Sequence, residues 1–111
     1  MKILWEDEAW QEYLRWQFQD KKTLKKINKL LDDISRNGYN CSGKLERLKG
    51  DLREYYSVRI DSKNRIVFRI NDDNLEVYQC GSHYRDKWNN FHYNENYFWK
   101  LLTQFIISYI N

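Results

Sequence analysis

The stretch VYQCGSHYRDKW leads from an apolar run to a histidine, His83, which is followed at once by a tyrosine, Tyr84. The chain has one other histidine, His92, in a different kind of segment. Histidine titrates near neutral pH, so it can give or take a proton in catalysis. Metal-free cleavage of RNA needs a general base, a general acid and a fixed cation beside the phosphorane. His83 is therefore a candidate for a proton-transfer role in such a reaction.

The same reaction has candidates for its other two roles earlier in the chain. Glu46 lies in KLERLK among basic residues, which favour the ionised carboxylate that a general base requires. Arg65 begins RIVFRI, and a guanidinium offers two parallel donors and keeps its charge at neutral pH. Spacing alone does not bring Glu46, Arg65 and His83 together. Each also suits an ordinary role, as a surface carboxylate, a solvated strand arginine and a loop histidine.

The distribution of charge gives a second indication of partners. The 111 residues fit one domain, and the formal net charge is +3. Residues 43–70 alone carry eight basic and four acidic side chains, a balance of +4. A local basic surface attracts phosphates, although a solvated charged face would have the same composition.

Several classes of protein are disfavoured by the sequence. No apolar stretch approaches the roughly 18–20 residues of a membrane span, and MKILWEDEAW turns acidic too early for a secretory signal. We therefore expect a cytoplasmic protein, with Cys41 and Cys80 as reduced thiols. The spacing of cysteines and histidines matches no metal-binding motif, so no metal or other cofactor is expected.

Hydrophobic periodicity predicts an α+β domain over residues 1–86. MKILWE is a predicted strand, and two amphipathic helices follow. The first begins near Glu6–Asp7, and its predicted apolar row is Ala9, Trp10, Tyr13, Leu14 and Phe18. The second is capped by Asp20 and ends at Asn37-Gly38, and its predicted apolar row is Leu24, Ile27, Leu30, Leu31 and Ile34. After a loop-rich segment the period becomes two, which predicts three strands, with NDDN as a turn. The predicted order is β-α-α-β-β-β, an antiparallel sheet with both helices packed on one face.

The alternation within the strands predicts which side chains share a face. If the apolar positions of SVRI and RIVFRI point to the helices, Arg59, Arg65 and Arg69 point the other way. An open sheet face would then display a row of arginines. Such a row suits RNA binding, and it also suits simple solvation.

Residues 87–111 form a distinct segment, KWNNFHYNENYFWKLLTQFIISYIN, rich in aromatic residues and asparagine. Apolar side chains at helical spacing predict an additional C-terminal helical segment. Its apolar run is too short to cross a bilayer. The sequence leaves open whether this extension packs on the domain, dimerises or binds a partner.

Longer stretches of the chain resemble the YoeB branch of the RelE-type toxins, within the RelE/ParE superfamily. The resemblance lies in the N-terminal MKILWEDEAWQEYLRWQFQDKKTLKKINKLLDDISRN, in SGKLERLKGDLREYYSVRI, and in SVRIDSKNRIVFRI followed by VYQCGSHY. It runs from Met1 to about Tyr84. It implies a microbial-RNase-like RelE fold and the toxin of a type II toxin–antitoxin pair, a ribosome-dependent mRNA endonuclease that inhibits translation.

The resemblance assigns roles to the catalytic candidates. By similarity, Glu46 is the general base, Arg65 stabilises the phosphorane and His83 is the general acid. Tyr84 orients the substrate, by stacking on a base or by bonding near the phosphate. The implied products are a 2′,3′-cyclic phosphate and a free 5′-hydroxyl.

Two further residues match the family pattern, and two features of the chain differ from it. Lys49 and Arg59 match family positions that contact the substrate backbone. Asn64 stands where family members usually have a histidine, and we expect this to alter a turn contact rather than the chemistry. About 27 residues follow Tyr84, where family chains normally stop.

The implied partners are the ribosomal A site with its mRNA, a cognate YefM-like antitoxin, a second copy in a homodimer, and operator DNA through the antitoxin complex. The extension leaves an alternative, a catalytically impaired antitoxin-binding protein whose C-terminal segment blocks the cleft. A free RNA-binding module is less favoured, because the sequence shows no RRM or KH motif.

Overall fold

Two helices cover one face of a five-stranded sheet in the computed structural model, which describes residues 1–81. The helices are α1 (Asp7–Gln19) and α2 (Lys21–Asn37), and short 3-10 turns lie at Gly38–Asn40 and Gly50–Leu52. The strands are β1 (Lys2–Trp5), β2 (Glu46–Arg47), β3 (Tyr56–Arg59), β4 (Arg65–Asn71) and β5 (Asn74–Cys80), in the sheet order β1-β5-β4-β3-β2. The predicted α+β class is confirmed. The predicted helical extension, residues 87–111, lies outside the described residues.

Two details of the sheet differ from the sequence prediction. β1 pairs in parallel with β5, so the sheet is mixed rather than wholly antiparallel. β2 is a strand within the segment that the sequence predicted as a loop, and it pairs antiparallel with β3. A period of two identifies a strand but not its direction, and two residues are too few to show any period.

The termini of the helices and the last hairpin follow their local sequence signals. α1 begins at Asp7, directly after Glu6. Asp20 caps α2, since its carboxylate accepts hydrogen bonds from the backbone N–H groups of Lys22 and Thr23. The β4–β5 hairpin turns on two residues with positive φ, Asp72 and Asp73, which is the conformation that two-residue hairpin loops favour.

The core lies between the sheet and the two helices. Its fully buried apolar residues come from α1, α2, β3, β4 and β5, and Phe68 is among the largest of them. α2 contributes Ile27, Leu30, Leu31 and Ile34, as its apolar row predicts. Within residues 1–81, no helix is both long and apolar enough to cross a membrane.

One carboxylate ties the loop between α2 and β2 to the helix. Asp33 Oδ2 accepts hydrogen bonds from the backbone N–H (2.8 Å) and the hydroxyl (2.7 Å) of Ser42. Asp33 Oδ1 accepts a third, of 2.6 Å, from Asn37 Nδ2. These bonds, led by the one from the Ser42 backbone N–H, lower the pKa of Asp33 below its ordinary value.

Asp33→Ala is therefore expected to lower the melting temperature at pH 7. A carboxylate with a lowered pKa in the folded state stabilises the fold above its unfolded-state pKa, and this contribution disappears as the pH falls through the folded-state pKa. The difference in melting temperature from wild type should thus shrink below about pH 4. Thermal unfolding followed by circular dichroism at pH 7 and pH 3 measures it. Asp32→Ala, which removes the neighbouring exposed carboxylate, is the control, and an equal loss there would contradict the assignment.

Candidate active site

Glu46 and Arg65 meet on the sheet face that points away from the helices. Arg65 Nη1 lies 3.2 Å from Glu46 Oε2 and also donates a 3.0 Å hydrogen bond to Ser57 Oγ. β3 makes this meeting possible, because Ser57 lies opposite Glu46 of β2, while Arg59 lies opposite Arg65 of β4. Two of the three predicted catalytic side chains are therefore neighbours in the folded chain.

The position of β2 depends on an unusual backbone conformation just before it. Gly43 and Lys44 both have positive φ, of 94° and 58°. The carbonyl of Gly43 accepts a 2.8 Å hydrogen bond from the N–H of Arg59. A Cβ at Gly43 would lie 3.0 Å from Leu30 Cδ2 and 3.3 Å from Val58 Cβ, and the positive φ is one that side chains rarely adopt, so both favour glycine here. The turn then directs Glu46 alongside β3.

The two partners differ in exposure. The side chain of Glu46 is 63% exposed and that of Arg65 is 19% exposed. Both hydrogen bonds of Arg65 use Nη1, and none of its other side-chain nitrogens donates a hydrogen bond to residues 1–81. A guanidinium carries five N–H donors. Arg65 is thus held in place while it keeps donors for an anion, and the Glu46 carboxylate is accessible to a substrate proton.

The two predicted substrate-binding cations, Arg59 and Lys49, lie on or next to β3 and β2. Arg59 is exposed and directly opposite Arg65, an arrangement of like charges that a bound anion would relieve. Arg59 makes no ion pair with residues 1–81. Lys49 is also exposed and directly precedes the Gly50–Leu52 turn. Because β2 and β3 are antiparallel, Arg59 at the end of β3 lies near the start of β2, whereas Lys49, past the end of β2, lies near the start of β3. Of the two predicted substrate-binding residues, Arg59 is the one directly opposite Arg65.

Arg69, the third arginine predicted on this face, has a different role. Its Nε and Nη1 donate hydrogen bonds to Glu76 (2.9 Å) and Glu54 (3.0 Å). The bond to Glu76 is the main cause of a raised pKa for Arg69. All three arginines lie on the predicted face, but Arg69 is neutralised by its carboxylate partners.

The sequence prediction missed two polar residues of this face. Glu46, Ser57, Val67 and Gln79 form a row of direct partners across β2, β3, β4 and β5. Ser57, Val67 and Gln79 are fully buried, although the sequence predicted an uncovered face. Neither side-chain polar atom of Gln79 has a hydrogen-bond partner among residues 1–81. Alternation along β3 gives the side on which Ser57 lies, but the sequence carries no signal for its register opposite Glu46, because β2 was not predicted.

The turn before Arg65 contains Asn64, the position at which the resemblance would place a histidine. Asn64 Nδ2 donates hydrogen bonds to both carboxylate oxygens of Asp61, and the Asp61 carboxylate also accepts from the backbone N–H groups of Lys63 and Asn64. Burial raises the pKa of Asp61, but these hydrogen bonds outweigh it and the net shift is downward. Asn64 thus contributes to the turn that starts β4. Across residues 1–81, no cluster of three or more His, Cys, Asp or Glu side chains could hold a metal ion.

Gly81, the last of the described residues, lies beside Arg65. The N–H of Gly81 donates a 3.0 Å hydrogen bond to the carbonyl of Arg65. The predicted general acid, His83, and its neighbour Tyr84 lie outside the described residues.

Comparisons with a family model, with curated proteins and with solved structures all identify the same family. A family model for the YoeB-like toxin of bacterial type II toxin–antitoxin systems matches residues 5–84. The chain is 42% identical to toxin YoeB of Escherichia coli K12 over 84 residues, which are 76% of this chain and 100% of that protein. It is also similar to two solved structures from Staphylococcus aureus, each 40% identical and covering 76% of this chain and 98% of theirs. One is a heterotetrameric YoeB–YefM toxin–antitoxin complex, with a TM-score of 0.70, and the other is a YoeB dimer, with a TM-score of 0.69.

Proposed function

The chain belongs to the YoeB-like toxins of bacterial type II toxin–antitoxin systems, and from this premise we propose that it is a metal-independent endonuclease that cuts mRNA on the ribosome. The observation that carries the proposal is the contact between the exposed carboxylate of Glu46 and the guanidinium of Arg65, with the exposed Arg59 directly opposite Arg65. A carboxylate and a guanidinium at one point supply the base and the fixed cation that RNA cleavage by 2′-hydroxyl attack requires.

In the proposed reaction, Glu46 takes the proton of the 2′-hydroxyl, and the 2′-oxygen attacks the adjacent phosphorus. Arg65 donates from the nitrogens that it does not use within the sheet to the phosphorane oxygens. His83 protonates the 5′-oxygen as the bond to phosphorus breaks. The products are a 2′,3′-cyclic phosphate and a free 5′-hydroxyl.

The position of Gly81 supports the role proposed for His83. Gly81 is hydrogen-bonded to Arg65, and two residues span at most about 7 Å of chain. This short chain length from Arg65 is what supports a role for His83 at the phosphate that Arg65 would bind. Tyr84 would orient the same nucleotide, while Lys49 and Arg59 would hold the flanking phosphates.

The proposed partners follow from the substrate and from the family. The chain would act in the ribosomal A site, and hence in the cytoplasm, on bound mRNA. A YefM-like antitoxin would cover the basic face near Arg59 and Lys49 with an acidic or amphipathic segment. Because the solved relatives include a YoeB dimer and a YoeB–YefM heterotetramer, we propose a homodimer and an antitoxin complex that binds operator DNA.

A catalytically impaired, antitoxin-binding protein is the second candidate. It is favoured by one observation, that the family match spans residues 5–84 and does not include the C-terminal extension. In this version the extension would block the cleft, and the chain would bind the antitoxin without cutting mRNA.

Induced expression in a bacterium distinguishes the two candidates. We expect the full chain to arrest translation and His83→Gln to relieve the arrest, as measured by incorporation of labelled amino acid and by mapping of cut mRNA. A harmless full chain with a toxic 1–84 truncation would favour the impaired protein and make the extension inhibitory. If both are harmless, the endonuclease proposal is wrong.

A further inference from the structure

β5 carries a bulge next to the candidate active site. Val67 pairs with Gln79, but the next residue of β4, Phe68, pairs with Val77, so Tyr78 is an extra residue on β5. Val77 and Cys80 belong to the core beneath the helices. Tyr78 and Gln79 are therefore consecutive residues on the opposite face. Bulges of this kind often redirect side chains beside active sites.

The side-chain amide of Gln79 is buried without a hydrogen-bond partner among residues 1–81. Its side chain is fully buried, and neither Oε1 nor Nε2 has a hydrogen-bond partner among residues 1–81. Buried amides are nearly always paired, because an unpaired one destabilises the fold. Gln79 ends the row that begins at Glu46, so its amide lies on the same face as the Glu46–Arg65 pair.

Tyr78, the residue before Gln79, belongs to an aromatic pair on this face. The rings of Tyr55 and Tyr78 are 5.1 Å apart between centroids, and Tyr55 precedes Ser57 by two residues. The guanidinium of Arg69 lies 5.2 Å from the centre of the Tyr55 ring and is fixed by Glu54 and Glu76. One cation beside two carboxylates disfavours a phosphate here, whereas a neutral aromatic ligand pays no such electrostatic cost.

We propose that Tyr55, Tyr78 and Gln79 form a nucleobase subsite for the RNA nucleotide next to the scissile phosphate. The tyrosine rings stack on the base, and the amide reads its edge. An amide places an acceptor beside a donor, which matches the donor and acceptor of adenine. Because Gln79 is fully buried, the proposal requires this part of the face to open when the base binds. The inference rests on the proposed endonuclease activity.

The test is the base preference of cleavage. Ribosome-bound mRNAs that differ only in the base beside the cut are mapped with the wild-type chain and with Gln79→Leu. We expect roughly a tenfold weaker preference for adenine in the variant, together with a higher melting temperature because the unpaired amide is gone. Gln17→Leu, the same change at an exposed position of α1, is the control and should alter neither. A Gln79→Leu variant that is more stable but keeps the wild-type preference would overturn the subsite.

The aromatic pair has its own matched variants. Tyr78→Phe keeps the ring and should leave KM near wild type, whereas Tyr78→Leu should raise KM several-fold with a smaller change in kcat. Equal effects of the two variants would contradict stacking.

A binding measurement separates this inference from the activity on which it rests. A trinucleotide with adenine at the subsite and a 2′-deoxy sugar at the cut is added to the labelled full chain, and the side-chain amide signal of Gln79 is followed by nuclear magnetic resonance. A shift with adenine but not with uracil supports the subsite even if the chain cuts no RNA, in which case only the endonuclease proposal fails. A Gln79 signal that stays still while the signals of Arg59 and Arg65 move overturns the subsite alone.

Discussion

Arg65→Ala is expected to lower the rate of mRNA cleavage by roughly 10²–10³-fold, the usual cost of removing one preorganised donor to a charged transition state. Arg65 is fixed by Glu46 and Ser57 through Nη1, so its remaining donors need little reorganisation when charge develops on the phosphorane. Single-turnover cleavage of mRNA on programmed ribosomes measures the effect directly.

Two variants make this result specific. Arg65→Lys keeps the charge but loses the planar fork, so we expect an intermediate rate. Arg36→Ala removes a similarly charged side chain from α2, where it pairs with Asp32, and should cut at the wild-type rate. If Arg65→Ala and Arg36→Ala were equally active, the proposed role of Arg65 would be wrong.

We expect Arg65→Ala to remain folded, so a lower cleavage rate will report catalysis rather than unfolding. The salt bridge to Glu46 is largely solvated on the carboxylate side, and exposed pairs contribute about 0–1 kcal/mol to stability. The melting temperature of the variant should therefore stay close to that of the wild type. A large fall would show that the hydrogen bond to Ser57 is structurally essential, and the rate would then need to be compared below the transition.

The candidate site was partly predictable because successive side chains of a strand point to opposite faces of the sheet. A period of two placed Arg59 and Arg65 on one face, and the register of β3 and β4 confirms it. The same pattern carries no information on what covers a face, which is why the burial of Ser57, Val67 and Gln79 was not foreseen. The approach of Glu46 to Arg65 depends on the backbone before β2, and spacing in the sequence does not encode it.

The buried face was predictable from the sequence for α2 but not for α1. α2 has one apolar stripe, and its buried residues follow the predicted row. α1 carries more aromatic residues than one helix face can bury, so periodicity did not identify the face that packs. Trp10 and Phe18, both in the predicted apolar row, are exposed, whereas Trp16, which was not in that row, donates a 3.1 Å hydrogen bond to the carbonyl of Cys80. Tertiary packing against β5, and not the local pattern, selects that face.

Gly81→Ala is expected to lower the free energy of unfolding by about 2–4 kcal/mol, through a steric clash and a strained backbone. Gly81 has a φ of 130°, which side chains rarely adopt, and a Cβ there would lie 2.5 Å from Trp16 Nε1. The indole must then shift and give up its hydrogen bond to Cys80. Urea denaturation measures the loss.

A matched glycine separates the two causes. Gly50 also has a positive φ, of 67°, but an added Cβ there meets nothing within 4 Å, so Gly50→Ala should show the backbone cost alone, about 1 kcal/mol. In a Trp16→Leu background the steric part of Gly81→Ala should disappear, and the double-mutant cycle gives the coupling between the two residues. Equal losses at Gly81 and Gly50 would contradict the clash. Because Gly81 is bonded to Arg65 and precedes His83 by two residues, cleavage by Gly81→Ala should fall even where the variant remains folded.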